Sequence, residues 1–254
     1  MIKRAAAAMA LVGVVAPTAA RCDQAGYLYT YGLNESRFGD FVVSADAYKP
    51  LGSPNAKIRP FVDVLANWDT KTSGGDLPRI YGDNYAALEG GLQYTTGGLR
   101  LFLQGGASAK LGSVAAVHSG GDLRGGAQLY REWGPAVHRD GSSYGNFYGS
   151  GVYYSRYQDT IFYNQLEFGR YAGSGAHATE LYLRPVLTLD TQRYYYDNLV
   201  ELTAGMRFHP FGAHGPTFAV EEAYGTYLAP STVPAGQSKT WFDFRPTISY
   251  GVNV

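Results

Sequence analysis

Thr240 to Val254 reads TWFDFRPTISYGVNV. Taken at alternate positions it puts Phe242, Phe244, Pro246, Ile248, Tyr250, Val252 and Val254 on one face. Trp241, Asp243, Arg245, Thr247, Ser249, Gly251 and Asn253 fall on the other. Side chains of a strand point alternately to opposite sides, so the stretch is one apolar wall and one polar wall. It is also about twice the usual length of a globular strand. A strand that crosses a bilayer needs about 9–11 residues with this dyad pattern. The reading is therefore a membrane-spanning β-barrel, all-β, with this segment as its closing strand.

Working outward, the same pattern recurs. Lys57–Asp69 sets Ile58, Pro60, Val62, Val64, Ala66 and Trp68 against Arg59, Phe61, Asp63, Leu65 and Asn67. Asn84–Thr95, Asp122–Trp133, His177–Asp190 and Asn198–His209 alternate likewise, and Thr96-Gly97-Gly98 joins two such runs as a hairpin turn. A weaker strand is read around Val114–Val117, and the Tyr-rich pair Asn146–Gln158 and Thr160–Ala172 has imperfect apolar faces. The count is roughly 12 strands, between 10 and 14, of a single antiparallel barrel. Prolines 60, 185 and 246 fall in mid-pattern, where each removes a ladder donor. Trp68, Tyr94, Trp133, Phe208 and Trp241 stand near strand ends and read as interfacial girdles.

Composition agrees: Tyr 22, Phe 12, Trp 3 and Gly 33 stand beside only 17% charged residues. A chain that alternates lipid-facing and lumen-facing residues averages out polar, so a mean hydropathy of −0.20 is compatible with membrane insertion. The competing reading is a secreted Tyr- and Gly-rich β-sandwich. Long strands tilt against it. So do polar faces that pair opposite charges, as Arg59/Asp63, Arg184/Asp190 and Asp243/Arg245 do.

Met1–Ala20 has Lys3 and Arg4 ahead of an apolar run, then small residues, which is the layout of a secretory signal peptide cleaved after Ala20. Residues 21–254 then form the barrel. Without Lys3 and Arg4, 19 basic residues face 21 acidic ones. That balance gives nucleic acid no basic patch to bind. One cysteine, Cys22, excludes an internal disulfide framework. Arg21 before it is unlike a lipidation signal.

The export signal, the Gly/Tyr-rich alternating body and the aromatic-rich final strand resemble Gram-negative outer-membrane β-barrel proteins. Asp83–Tyr94 (DNYAALEGGLQY) and Asp122–Gly134 (DLRGGAQLYREWG) more narrowly resemble the C-terminal barrels of exopolysaccharide-export and phage-adsorption outer-membrane proteins, a group that includes the outer-membrane component of cellulose secretion. The resemblance implies a place in the bacterial outer membrane and contact with its lipid. It also implies insertion by the barrel-assembly machinery and a periplasmic polysaccharide-export partner. Two features depart from it: Val254 stands where an aromatic is usual, and no helical repeats precede the barrel.

The leading expectation is a non-enzymatic pore or export channel, with an extracellular polysaccharide as its cargo. Lumen candidates are Arg59, Asp63, Arg100, Arg124, Arg184, Glu201, Arg207, Asp243 and Arg245, because arginine–carboxylate pairs set the width and charge of a pore. Tyr148, Tyr153, Tyr154, Tyr157 and Tyr163 are candidates either to stack on sugar rings or to form a girdle. No catalytic set, metal ligand set or cofactor motif emerges. Five histidines without paired spacing read as loop residues, and Glu221-Glu222 as a solvated strand edge, with a general acid or a lumen carboxylate as the alternatives. The alternatives are a rim enzyme built on His118 and His138, acting on lipid or surface peptide, and a filled-lumen adhesin, receptor or anchor.

Overall fold

A computed structural model describes residues 26–37, 39–70, 84–111, 119–135, 138–155, 158–192, 198–212, 215–229, 231, 233 and 238–253. The signal segment, Cys22 and the expected strand around Val114–Val117 lie outside these residues. The strands are β1 (Tyr27–Glu35), β2 (Asp40–Pro50), β3 (Ile58–Asp69), β4 (Tyr85–Thr96), β5 (Leu99–Lys110), β6 (Gly120–Trp133), β7 (Ser143–Tyr154), β8 (Asp159–Ala172), β9 (Thr179–Asp190), β10 (Leu199–Phe208), β11 (Thr217–Tyr227) and β12 (Thr240–Asn253). Each pairs antiparallel with its sequence neighbours, and β12 returns to β1, closing a 12-stranded barrel. At the seam Tyr27 faces Asn253 and Leu33 faces Thr247.

The alternation read in the sequence becomes an inside and an outside. On β3, Arg59 is 2% exposed and Ile58 66%; on β12, Asp243 is 0% exposed and Phe242 59%. The apolar side chains are thus the outward-facing ones, the inverse of a soluble protein. Among the described residues there is no sandwich core for them to fill. Only a hydrocarbon environment makes that surface favourable.

The prolines are accommodated one ladder at a time. β8 pairs with β9 from Ile161–Asp190 to Gln165–Val186 and resumes at Phe168–Leu183, skipping the two steps at Pro185 and Arg184. The β1–β12 ladder stops at Leu33–Thr247, one step before Pro246, and the Ser36 N–H then donates to Phe244 O. Pro60 sits where the β2–β3 ladder ends, with its carbonyl accepting from Leu51 N–H. Each proline keeps its other neighbour.

Aromatic residues lie across glycines on the adjacent strand. Tyr144 faces Gly169, Tyr182 faces Gly205, Trp241 faces Gly225 and Trp133 faces Gly145. A Cβ on Gly205 would come within 2.4 Å of Tyr182 Cζ, and one on Gly225 within 2.1 Å of Trp241 Cζ2. Trp241 is therefore an inward, buried ring rather than the girdle residue expected from its place near a strand end, because it falls in the lumen phase of β12. In the hairpin, Gly97 and Gly98 have φ of 52° and 83°. Both left-handed positions of a tight two-residue turn are thus held by glycine.

Glu222 breaks the outer pattern. It is exposed between Val220 and Tyr224 on β11, opposite Ala204 and Phe244. A charge on the lipid face costs free energy that grows toward mid-depth. Glu222→Leu is expected to raise the stability of the folded barrel by about 1–2 kcal/mol in urea unfolding from lipid; an unchanged midpoint would count against a mid-span position. Gly205→Val is expected to abolish the folded, heat-modifiable band on unboiled gels. Adding Tyr182→Ala should restore it, since the three atoms nearest the added Cβ all belong to that side chain.

Candidate functional site: the lumen wall

All nine lumen candidates lie on the inner face. Their partners come from strands that sequence alone does not align. On the β8–β12 side, Arg207 reaches Glu167 Oε2 at 3.1 Å and also bonds Glu180. Arg184 reaches Glu221 at 2.8 Å and Glu167 at 3.8 Å. Its expected partner Asp190 instead accepts from the N–H of Gln192. Arg245 holds both Glu201 oxygens, at 2.7 and 2.9 Å, and Asp243 at 2.7 Å. Asp243 lies two residues from Arg245 and so on the same face, as read from the sequence.

The β1–β6 side is built differently. Arg124 bridges Glu89 at 3.0 Å and Asp122 at 2.7 Å. Gln104 donates to Asp63 at 3.4 Å and also to Glu89. Arg100 donates to Gln93 and Gln128 and lies over the Tyr48 and Phe61 rings, 4.8 Å from each centroid. Tyr27 stacks on Tyr48 and donates to Asp46 at 2.8 Å.

Four of these eight ion pairs skip one strand: β12 to β10, β10 to β8, β9 to β11, β6 to β4. Neighbouring strands present same-face side chains side by side, so a long arginine reaches over its neighbour to the next but one. The pairs therefore run along the wall rather than across the axis. They satisfy charges that would otherwise be buried and unpaired, a state that costs several kcal/mol.

The five tyrosine candidates divide. Tyr148, Tyr154 and Tyr163 are buried in the lumen, Tyr153 points outward at 42% exposure, and Tyr157 lies outside the described residues. His118 also lies outside them. His138 stacks on Tyr171 at 4.2 Å. His209, expected as a loop residue, lies just past the end of β10 and places Nε2 3.0 Å from Glu180 and Nδ1 3.1 Å from the Thr217 hydroxyl. Of the acidic pair, Glu221 is a lumen partner of Arg184 and Glu222 faces outward. Glu89, Glu167, Glu180 and Gln104 carry as much of the network as the nine candidates. Their phase on the strands is visible in the sequence; their pairing needs the register.

The lumen is not uniformly packed. Tyr27, Tyr29, Asp46, Asp63, Arg100, Gln128 and Tyr130 are only half-buried. Toward the end away from Tyr27 and Asn253, Leu199, Ala223, Tyr227 and Trp241 form a buried cluster, with Val233 of the β11–β12 connection against it. There the β1–β2 turn folds in. Ser36 Oγ and Arg37 N–H both donate to Asp243 Oδ1, at 2.9 and 2.8 Å, and the Arg37 guanidinium lies 4.2 Å from the Trp241 ring.

A closed antiparallel barrel with an apolar outside and a charged, paired inside is an outer-membrane β-barrel, and the protein belongs to the bacterial outer membrane. No known protein family and no curated protein matches the sequence. Solved structures that it is similar to are outer-membrane barrels at low identity. A bacterial polysaccharide outer membrane secretin shares 8% identity over 91% of this chain and 99% of its own, with a TM-score of 0.44. The NanC porin shares 12% over 88% and 98%, at 0.45. LpxR from Salmonella typhimurium shares 10% over 88% and 99%, at 0.43.

Removing one member of a buried pair should cost more than removing both. Arg245→Met is expected to destabilise the barrel by about 3–5 kcal/mol. Arg245→Met with Glu201→Gln should recover part of that loss. Equal losses from the single and the double variant would show that Glu201 does not depend on Arg245.

Proposed function

We propose that the barrel is a passive channel for small hydrophilic solutes, carbohydrate in particular. The carrying observation is the half-buried strip of Tyr27, Tyr29, Asp46, Asp63, Arg100, Gln128 and Tyr130 on the lumen wall. A 12-stranded barrel is wider than the roughly 8-stranded size that side chains alone fill. Water-facing groups inside it then line a passage. Aromatic rings beside carboxylates and a guanidinium suit sugars, which offer an apolar ring face and a rim of hydroxyls. Polysaccharide export is the narrower form of the same reading, with a periplasmic partner delivering the chain. The ends of β3 and β11 at Asp69 and Tyr227, after which the two longest stretches between strands follow, are on the end opposite Tyr27 and Asn253, and in this reading that end faces outside. The Arg37 turn then narrows the outer mouth.

One observation favours a second reading, hydrolysis at the rim. Glu180, His209 and Thr217 form a carboxylate–imidazole–hydroxyl chain of the kind that activates a nucleophile. Ester turnover that disappears in Thr217→Val would support it.

Single-channel recording in planar bilayers tests the channel. Discrete conductance steps are expected, with cation preference falling in Asp46→Asn/Asp63→Asn because two carboxylates leave the passage. Arg37→Ala should raise the conductance about twofold or more, as the mouth loses its anchored turn. A folded barrel that passes no current, in parent and in Arg37→Ala alike, would overturn the reading.

A further inference from the structure

The outer wall carries a groove of about 550 Å³ bounded by Trp133, Phe168, Leu181, Leu183 and Ala204, with Arg170 at its edge. Its origin is local. Gly169 and Gly205 sit opposite Tyr144 and Tyr182, whose rings lie on the lumen side against them. Ala204 adds only a methyl outside. The wall is therefore thin here, while the flanking strands present Phe and Leu.

The groove follows one pairing row. Trp133 faces Gly145, Gly145 faces Phe168, Phe168 faces Leu183, and Leu183 faces Ala204. Strands in a closed barrel are tilted by about 35–45°, so such a row climbs obliquely from the rim into the hydrocarbon. The rim end carries the polar chemistry. Trp133 is half-exposed there and packs edge-on to Phe168, their centroids 6.0 Å apart. Arg170 is exposed and donates Nε to Gly141 O at 2.9 Å, which holds its guanidinium at the mouth.

We propose that this groove is a specific site for one glycerophospholipid, an acyl chain lying along the row and the phosphate on Arg170. The polarity gradient selects that occupant: a cation and an indole where headgroups lie, then apolar side chains along the row as far as Ala204, one position short of Glu222. Its volume lies within the roughly 300–1,000 Å³ of small-molecule sites. The proposal concerns the outer face and is independent of what the lumen conducts.

Native mass spectrometry of the full-length barrel released from detergent micelles tests it, with phosphatidylglycerol and diacylglycerol of the same chains as probes. The parent should retain one phosphatidylglycerol and prefer it to diacylglycerol by about fivefold, the effect of ~1 kcal/mol per arginine at a membrane surface. Arg170→Gln should lose the preference while still retaining diacylglycerol. Ala204→Trp, which fills the groove from the lipid side, should lose both. Ala204→Leu serves if the tryptophan variant does not give the folded band. Retention by a folded Ala204 variant at the parent's level, or an unchanged preference in Arg170→Gln, would overturn the site. Conductance should be the same in all of them, and its absence throughout would bear only on the channel.

Discussion

The constraint on which everything else depends is that a backbone N–H or C=O in hydrocarbon has no water to bond. An open sheet edge would cost several kcal/mol for each group, so β1 and β12 must meet. The pairing of Tyr27–Leu33 with Asn253–Thr247 closes the ring. Closure also explains how tightly the prolines are managed. Pro246 removes a donor beside the seam, and the ladder is recovered two residues on by the Ser36–Phe244 bond. That same bond draws the β1–β2 turn inward and puts Arg37 over Trp241. A local defect at the seam thus lies beside the contacts that Arg37 makes to Asp243 and Trp241.

Closure divides the side chains into two solvents. Outside, apolar residues need only be apolar, and thin places such as Ala204 are permitted because lipid fills them. Inside, a polar lining on 12 strands brings arginines and carboxylates into a low-dielectric wall, where each must find a partner. The solution is the reach from one strand to the next but one: Arg245 to Glu201, Arg207 to Glu167, Arg184 to Glu221. Each pair clamps the strand between. The wall gains rigidity without side chains having to cross the axis, and the β1–β6 side is left with half-buried polar groups facing inward.

Much of this is legible in the sequence. A period of two is a local property, so the phase of Arg59, Arg184, Glu201, Asp243 and Arg245 can be read from each strand alone. The closing role of 240–254 can be read too. Pairing is not legible: Arg184 and Asp190 share a face, but Glu221 is nearer because β11 lies two strands away at the right register. Trp241 misleads because proximity to a strand end points to a girdle while its phase points inward, and phase wins. His209 hides its role because its partners, Glu180 and Thr217, come from two other strands.

Aromatic–glycine pairing ties the inner and outer faces together. Where a ring lies over a glycine inside, as Tyr182 does over Gly205, the strand presents no Cβ at that position. The outer residue beside it then decides whether the wall is thick or thin. At Gly225 the outward neighbours are Tyr224 and Thr226, and Tyr224 supplies bulk. At Gly205 they are Ala204 and Met206, and the alanine leaves a hollow. The next residue along the row from Ala204 is Glu222, so this thin stretch of outer wall ends beside a carboxylate that hydrocarbon disfavours. Both features weaken lipid packing at the same place. A bound lipid chain filling the hollow would restore the packing that Ala204 forgoes, while leaving Glu222 at the groove's inner end. Stability on this side of the barrel thereby depends on the lipid as well as on the protein.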